Sequence, residues 1–513
     1  MPVPLTYPGV YVTEIPSGSR TITGVATSIT AFVGRALRGP VDEPVTIFTY
    51  TDFVRMFGGL WTLSGLGYAV RDFYLNGGGE ALIVRIAPEA GTAKLDVDGL
   101  ALVASGPGAW GNALTATVAY PDETAIADVA DAQGVAPDDL FHLTLRDGVT
   151  EETYLNVTAA EGPRRVDLVL ASSALARADA DTDLPESRPA ASPDEEHPYV
   201  VAEQVDDGRV PNAKADYLSD ALAVSKGGVY ALLKADLFNI LCLPPPSPGG
   251  ELPSDVWQET LKFCTDRRAF LIVDSPPSQT VDQAATWPGD VNLTGVNARN
   301  GAVYFPRLRA QDPMRGGAIG EFAPCGAVAG IMARTDASRG VWKAPAGIDA
   351  AITGISGLAL PLTDDENGQL NPVAVNCLRT LRGFGTVVWG ARTLRGGDQL
   401  GDEYKYVPVR RLALFLEETL YRSTQWVVFE PNDKPLWAQI RTSIKAFLQD
   451  LFRQGAFQGT TPQDAYFVRC DEETTTQYDI DRGIVNILVG FAPLKPAEFV
   501  VIGIQQKTAT PTA

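Results

Sequence analysis

The chain has 513 residues, with 62 Asp and Glu against 42 Lys and Arg, a net charge of −20, 45% hydrophobic and 20% charged residues. That length supports several buried cores and about three or four domains. The acid excess argues against nucleic acid as the main partner, because counterion-release binding needs Lys and Arg against phosphate; solubility at high concentration is the simpler meaning of the charge. Five cysteines, widely spaced and without a CxxC or Cys-His pattern, read as buried free thiols in a reducing compartment. There is no basic region followed by an apolar leader, and no run of about eighteen apolar residues, so a soluble chain made in the cytoplasm is expected.

In chain order, the first predicted element is a strand. Tyr7-Pro8-Gly9-Val10-Tyr11-Val12-Thr13-Glu14-Ile15-Pro16 concentrates strand formers between prolines, and no Asn-Gly or Asp-Gly turn follows to fold it back. Residues 21–87 then read as α/β. A buried strand at Ile29–Gly34 precedes a short helix at Thr51–Phe57, stopped by Gly58-Gly59. A helix at Gly65–Leu75 carries Leu66, Ala69, Val70 and Phe73 on one face, and a second buried strand covers Ala81–Ile86.

From Pro88 to about Asp207 the strands look antiparallel and half-exposed, at Leu114–Tyr120, Phe141–Leu145 and Thr153–Val157. Residues 176–196 are acidic, rich in Pro and Ala and poor in large apolar groups, which predicts a mobile surface loop. Residues 88–207 therefore read as a β-rich domain inserted into the α/β unit. Over 208–347 the α/β pattern resumes. Strands are expected at Leu237–Leu243, Ala269–Asp274 and Ala302–Phe305, with a helix capped by Ser254 that carries Val256, Trp257, Thr260, Leu261 and Cys264. Short apolar strands alternating with helices predict a mainly parallel sheet covered on both faces.

From about Ile348 to residue 494 the pattern becomes α+β. A strand is expected at Thr386–Trp389, an amphipathic helix at Val409–Tyr421 and a short apolar segment at Trp426–Glu430. Asn432 or Asp433 caps a long helix that runs to Gly455, with Pro435 in the first turn, where its missing donor is harmless. The chain closes on a strand at Phe499–Ile504. Both termini are thus extended strands without a partner in their own chain, a liability unless something accepts them.

Residue chemistry points away from catalysis. The only histidines, His142 and His197, have no neighbours that suggest a triad or a metal cage, and no phosphate-loop, nucleophile-elbow, zinc-helix or EF-hand motif is present. Asp364–Gly368 lacks the alternating ligands of a calcium loop and reads as a solvated turn. Gly383-Phe384-Gly385 reads as a turn with no strand before it. Arg334–Gly347 reads as a rigid interdomain or intersubunit loop in preference to a phosphate site. No catalytic residue, cofactor or metal ligand is assigned.

Five stretches in order resemble the tail-sheath family of contractile injection machines, which includes contractile phage tails, R-type pyocins and extracellular contractile injection systems. They are YPGVYVTEIPSG (Tyr7 to Gly18), GPGAWGN (Gly106 to Asn112), VWKAPAG (Val341 to Gly347), LRGFGTVVWGARTL (Leu381 to Leu394) and YKYVPVRRLALFLEETLYRSTQWVVFEPNDKPLW (Tyr404 to Trp437). The resemblance runs from end to end and is weakest over roughly 121–210.

The resemblance implies a structural, non-enzymatic subunit that polymerises as stacked hexameric rings around an inner tube. The sheath is held in a metastable extended form and contracts when a baseplate triggers it. It implies an α/β middle domain (21–87 and 208–347), a β-rich inserted outer domain (88–207) and a C-terminal, tube-facing α+β domain (348–494) that receives strand arms from neighbouring subunits. The arms, residues 1–20 and 495–513, would pair through Tyr7, Val10, Tyr11, Val12 and Ile15 at one end and Phe499, Val500, Val501 and Ile502 at the other. Gly18, Gly24, Pro493 and Pro496 would bound flexible linkers. Family members attach sheath to tube through a helix in the C-terminal region, which singles out Lys434, Arg441 and Lys445, spaced seven and four apart on one helical face away from the apolar stripe. The implied partners are further copies of the chain, the inner tube protein, and baseplate and tail-terminator proteins, with neither nucleic acid nor direct membrane insertion. Assembly in the bacterial cytoplasm is implied too. Another self-assembling shell or surface-layer protein, or an enzyme of unrecognised fold, are the competing readings.

Overall fold

Short apolar runs, each closed by a glycine, a proline or a charged residue, become the strands of the principal sheet. In a computed structural model of the chain, residues 20–503 are described, except 123–125 and 195. Tyr7, Val10, Tyr11, Val12 and Ile15 therefore lie outside the described residues. The chain divides into two compact units: one comprises Ser28–Ser338 and Pro345–Lys405, the other residues 20–27, Arg339–Ala344 and residues 406–503.

In the larger unit the first segment supplies β1 (Thr30–Gly34), β2 (Val45–Ile47) and β3 (Ala81–Arg85), with helices α1 (Tyr50–Phe57) and α2 (Leu66–Leu75) between β2 and β3. Thr49 caps α1 in a reciprocal pair of bonds with Asp52, and Gly58 ends it in the left-handed conformation (φ 86°) that a side chain would disfavour. The next segment builds two antiparallel sheets. One joins β4 (Lys94–Val97), β5 (Leu100–Ala104) and β9 (Ala176–Ala178); the other joins β6 (Thr115–Ala119), β7 (Leu140–Arg146), β8 (Glu151–Thr158) and β10 (Tyr199–Val200). They share a core of their own, including Leu95, Leu102, Trp110, Phe141, Leu143 and Leu175. This segment, residues 88–207, carries 24 acidic and 6 basic residues, so it holds −18 of the chain's −20. The acidity is a property of the insertion.

The surface loop expected over 176–196 begins later than expected and is tied down at several points. Ala176–Ala178 is strand β9, the Arg188 guanidinium lies 3.7 Å from the Tyr120 ring centroid, and Ser192 N–H donates to the Val118 carbonyl (2.8 Å). Main-chain and cation–π contacts hold this segment in place of a hydrophobic core, so its low apolar content misleads.

The chain returns to the large sheet with β11 (Ile240–Cys242), helix α3 (Val256–Asp266), β12 (Phe270–Asp274) and β13 (Gly301–Phe305). At the start of α3 the N-cap position is Asp255, one residue past Ser254, and no side chain caps it. β14 (Leu308–Asp312), β15 (Ala318–Phe322) and β16 (Gly357–Leu358) form a small sheet, and β17 (Val375–Leu381) and β18 (Gly385–Val388) rejoin the large one. The large sheet runs β18-β17-β13-β12-β11-β1-β3-β2, parallel from β17 to β3 with one antiparallel strand at each edge. All five residues of β1, β3, β12 and β13 are buried, as a sheet covered on both faces requires.

Helix α4 (Cys325–Arg339) packs against α2 through two glycines four residues apart. A Cβ on Gly326 would sit 2.0 Å from the Ala69 carbonyl oxygen, and one on Gly330 would sit 2.4 Å from that of Phe73. The obstacle is backbone, which cannot swing aside as a side chain can. Gly326→Ala is expected to lower unfolding stability by about 3 kcal/mol, the upper end for an overpacked core. A urea midpoint shifted down with unchanged slope is the expected reading, and an unchanged midpoint would contradict the packing. α4 also revises the sequence reading of Arg334–Gly347. Its first turns are helical, Arg334 Nη2 donates to the Ala351 carbonyl (2.9 Å) and Lys343 Nζ to that of Ala344 (3.1 Å), so neither cation frames a phosphate site.

The domain border expected at 348 also moves. β17 pairs in parallel with β13, so residues through Lys405 stay with the large sheet and the second unit resumes at Tyr406. Two smaller readings change with it. Gly383 and Gly385, at φ 85° and 77°, make the hairpin turn between β17 and β18, so a strand does precede them. Asp364–Leu370 is a short helix capped by Thr363, with Glu366 bonding back, and not a turn.

Candidate assembly site

The second unit is built on two helices, α5 (Val407–Ser423) and α6 (Lys434–Arg453). Asp433 caps α6 by accepting from the Leu436 N–H (3.0 Å), and Pro435 occupies the first turn. Asn432 serves the loop instead, accepting from Trp437 Nε1 (2.8 Å) and donating to the Ile484 carbonyl (3.0 Å). The expected apolar stripe of Leu436, Ile440, Ile444, Phe447, Leu448 and Leu451 is buried, with Trp437 added to it. A two-stranded antiparallel sheet, β19 (Tyr466–Arg469) and β20 (Leu488–Phe491), completes the unit. Val468 of β19 and Ala465 just before it enter the same core as α6. Two strands alone are marginal, and here neither outer edge is paired among the described residues.

The three basic residues on α6 meet different surroundings. Lys434 is exposed and pairs with Glu472 (2.6 Å), which raises the Lys434 pKa above its ordinary value. Arg441 is half-buried and donates Nη1 to the Cys470 carbonyl. Lys445 is exposed and makes no ion pair among the described residues. Glu472 of the acidic run Asp471-Glu472-Glu473 thus meets the start of the helix, which sequence spacing could not reveal. An exposed pair of the Lys434–Glu472 kind is loosely held and readily exchanged.

At the C-terminal end, Phe499, Val500, Val501 and Ile502 are 74%, 80%, 93% and 79% exposed and belong to no strand of the chain. Four consecutive large apolar side chains in water are unusual, since runs of this kind normally mark a contact surface. The linkers are more anchored than expected. A Cβ on Gly24 would lie 2.8 Å from the Phe415 ring, and Val25 N–H donates to Thr419 Oγ1 (3.2 Å), so Gly24 is a packing glycine on α5 and not a hinge. Pro493 bridges Phe457, and Glu498 accepts from the Tyr406 hydroxyl (3.2 Å). Only beyond Glu498 does the chain leave its own unit. Sequence reading placed Phe429 in a short apolar segment but did not foresee its exposure: it sits fully exposed between α5 and α6 in the left-handed region (φ 70°) that bulky residues avoid. The apolar run Val427-Val428-Phe429 directly after a helix was its signal.

Among the described residues no group of three or more His, Cys, Asp or Glu side chains could hold a metal ion, and no helix is long and apolar enough to cross a membrane. All five cysteines are buried free thiols. Fold and surface together define a mixed α/β protein with an exposed apolar run near its C-terminal end.

Comparison with known proteins narrows that class. Residues 228–394 match the phage tail sheath central-domain family and residues 400–507 the phage tail sheath C-terminal-domain family. The chain belongs to the phage tail sheath family. It is 25% identical over 248 residues to the tail sheath protein of Enterobacteria phage T4, a match spanning 47% of this chain and 36% of that protein. It is 26% identical over 178 residues to the tail sheath protein of Vibrio phage KVP40, spanning 34% of this chain and 25% of that protein. The chain therefore spans about a third or less of these two relatives. Against a prophage major tail sheath protein of Pseudomonas aeruginosa strain UCBPP-PA14 it is 25% identical over 307 residues, 58% of this chain and 74% of that one. The fold is shared with the contracted sheath of the extracellular contractile injection system PVC (TM-score 0.58, 23% identity, 98% of this chain and 99% of that one). It is shared too with the contracted helical sheath of the anti-feeding prophage (TM-score 0.57, 21% identity, 98% of this chain and 100% of that one).

Proposed function

We propose that the chain polymerises as stacked hexameric rings around an inner tube and contracts to drive that tube through a target envelope. Each copy holds its neighbours through its terminal arms. The observation that carries this reading is the exposed apolar run Phe499–Ile502 in a unit whose β19–β20 sheet has no further strand paired to it among the described residues. β-Augmentation answers both needs, because a strand from another copy brings main-chain hydrogen bonds and covers one side of the sheet. At roughly 0.5–1.5 kcal/mol net per bond, an arm making about five bonds contributes a few kcal/mol. The N-terminal arm, through Tyr7, Val10, Tyr11, Val12 and Ile15, is likewise rich in strand formers and takes the same role.

In this reading the large sheet is the middle domain, residues 88–207 face outward, and the unit carrying α6 faces the tube. Lys434, Arg441 and Lys445 contribute the tube contact. Baseplate and terminator proteins bind at the ends of the assembly, and the particle is put together in the bacterial cytoplasm. Contraction is a transition between two packings of one lattice, with domains moving as bodies, and uses no cofactor.

Overexpressed chain examined by negative-stain microscopy tests the reading. Hollow ribbed cylinders are expected. Flat sheets or closed shells would favour a different self-assembling protein, and discrete particles would overturn the proposal.

A further inference from the structure

We infer that the inserted segment 88–207 is clamped to the large sheet at two separate points, so that the two move as one body. An insertion joined only by its two crossing strands could swivel about that neck. Here the neck itself is locked. Arg85, the last residue of β3, is 2% exposed and its guanidinium is spent on main-chain carbonyls from both sides. Nε donates to Ala36 (3.0 Å) and Nη1 to Gly39 (2.7 Å) on the sheet side; Nη2 donates to Pro107 (2.6 Å) within the insertion's GPGAWGN stretch. Burial lowers the Arg85 pKa to about 10, still far above neutrality, so the cation persists.

The rest of GPGAWGN ties the returning chain to the outgoing one. Gly108 N–H donates to the Gly91 carbonyl (2.8 Å) and Ala109 N–H to Asp207 Oδ1 (2.9 Å). The Asn112 amide donates to the Val205 carbonyl (2.7 Å) and accepts from the Val205 N–H (2.9 Å), the two bonds of a β-bridge made by a side chain. Gly106 is required for close approach, since a Cβ there would meet the Gly39 carbonyl oxygen at 2.6 Å. Arg209 closes the outer side, bonding Glu89 (2.8 Å) and Asp216 Oδ2 (2.8 Å).

The second point lies at the β7–β8 turn. Asp147 there accepts from Arg38 Nη1 in an ion pair whose side chains are both largely buried, and Arg38 Nη2 donates to the Arg55 carbonyl (2.9 Å) at the end of α1. Asp147 also accepts from the Thr150 N–H (2.6 Å), which fixes the turn around the pair. Leu37, between the two clamps, packs on the insertion's core. A body held at one point can swivel in any direction; one held at two keeps only rotation about the line that joins them, and the packing of Leu37 on the insertion's core opposes that. Taken with the proposed contraction, the inserted domain is carried by the sheet and contributes no hinge of its own.

The test uses the isolated chain, so it stands whether or not the chain forms a contractile sheath. Thr46 in β2 and Leu168 in the insertion are exposed, and all five native thiols are buried, so Thr46→Cys/Leu168→Cys accepts a pair of spin labels. The labelled chain is expected to give one narrow distance distribution. Arg38→Asp, with unchanged circular dichroism, is expected to broaden it, and Arg38→Asp/Asp147→Arg to narrow it again. A broad distribution in the otherwise native chain, or one that Arg38→Asp leaves narrow, overturns the two-point clamp. Failure of the swapped pair to restore the narrow distribution would overturn the role of the Arg38–Asp147 ion pair.

Discussion

On the proposed arm mechanism, removal of residues 1–17, or of residues 495–513, is expected to leave a folded chain that no longer polymerises. The second cut disturbs no core among the described residues, and the first removes a strand-forming stretch that lies outside them. The second falls after Pro493, whose bridge to Phe457 ends the chain's own sheet contacts, and Phe499–Ile502 contribute nothing to the packing of their own unit. What is lost is intermolecular. Each 1.4 kcal/mol is a factor of ten in affinity, so two arms at about 3 kcal/mol each change association about 10⁴-fold. Repetition in every ring makes that loss absolute at ordinary concentrations. The measurements are circular dichroism, which should match the full chain, light scattering, which should give a monomer mass, and microscopy, which should show no cylinders. Strand alternation sharpens the test: Val500 and Ile502 share one face, Phe499 and Val501 the other. Aspartate at one parity should abolish assembly while aspartate at the other is tolerated. Normal cylinders from either truncated chain would sink the arm mechanism.

The parts of this fold that were legible in sequence are those where one local pattern has one meaning. β1, β3, β12 and β13 are buried on both faces, so each reads as an unbroken apolar run, and α6 alternates apolar and charged residues at helical spacing. α4 escaped because its first nine residues are all buried and none is charged, which removes the amphipathic signal. β17 escaped because Asn376, Arg379 and Thr380 interrupt its apolar run, and its pairing with β13, more than seventy residues earlier, is non-local. That single omission moved the domain border from Tyr406 to 348. The basic stripe was legible as spacing but not as environment: Arg441 is engaged by a carbonyl 29 residues away. The clamp at Arg85 joins three segments that no window of sequence brings together.

Reversing Lys434 and Lys445 together, to glutamate, should abolish tube-loaded sheaths while leaving the fold intact. The proposed tube contact is electrostatic, and the charge distribution supports it more firmly than net charge suggests. The insertion holds −18, whereas the unit carrying α6 has 13 basic and 12 acidic residues, a net +1. The basic helix therefore lies in the one part of the chain that an acidic tube surface would not repel. Arg441 is excluded from the variant because its bond to the Cys470 carbonyl makes it structural, and reversing it would confuse misfolding with lost contact. Lys434 and Lys445 are exposed, so glutamate at either is accommodated without repacking. The double reversal changes each subunit by four charges, and the change recurs at every copy around the tube. Opposing charges at exposed sites are screened over about 8 Å at physiological salt, so added salt should weaken loading of the native chain and soften the defect of the variant. Glu472→Gln should act in the opposite direction, because it frees Lys434 from its present partner. Microscopy of sheaths assembled with tube protein reads all three as the fraction of filled, extended particles. Full loading of the double variant would remove α6 from the tube interface, whereas restored loading by charge-reversed tube protein would fix the contact to Lys434 and Lys445.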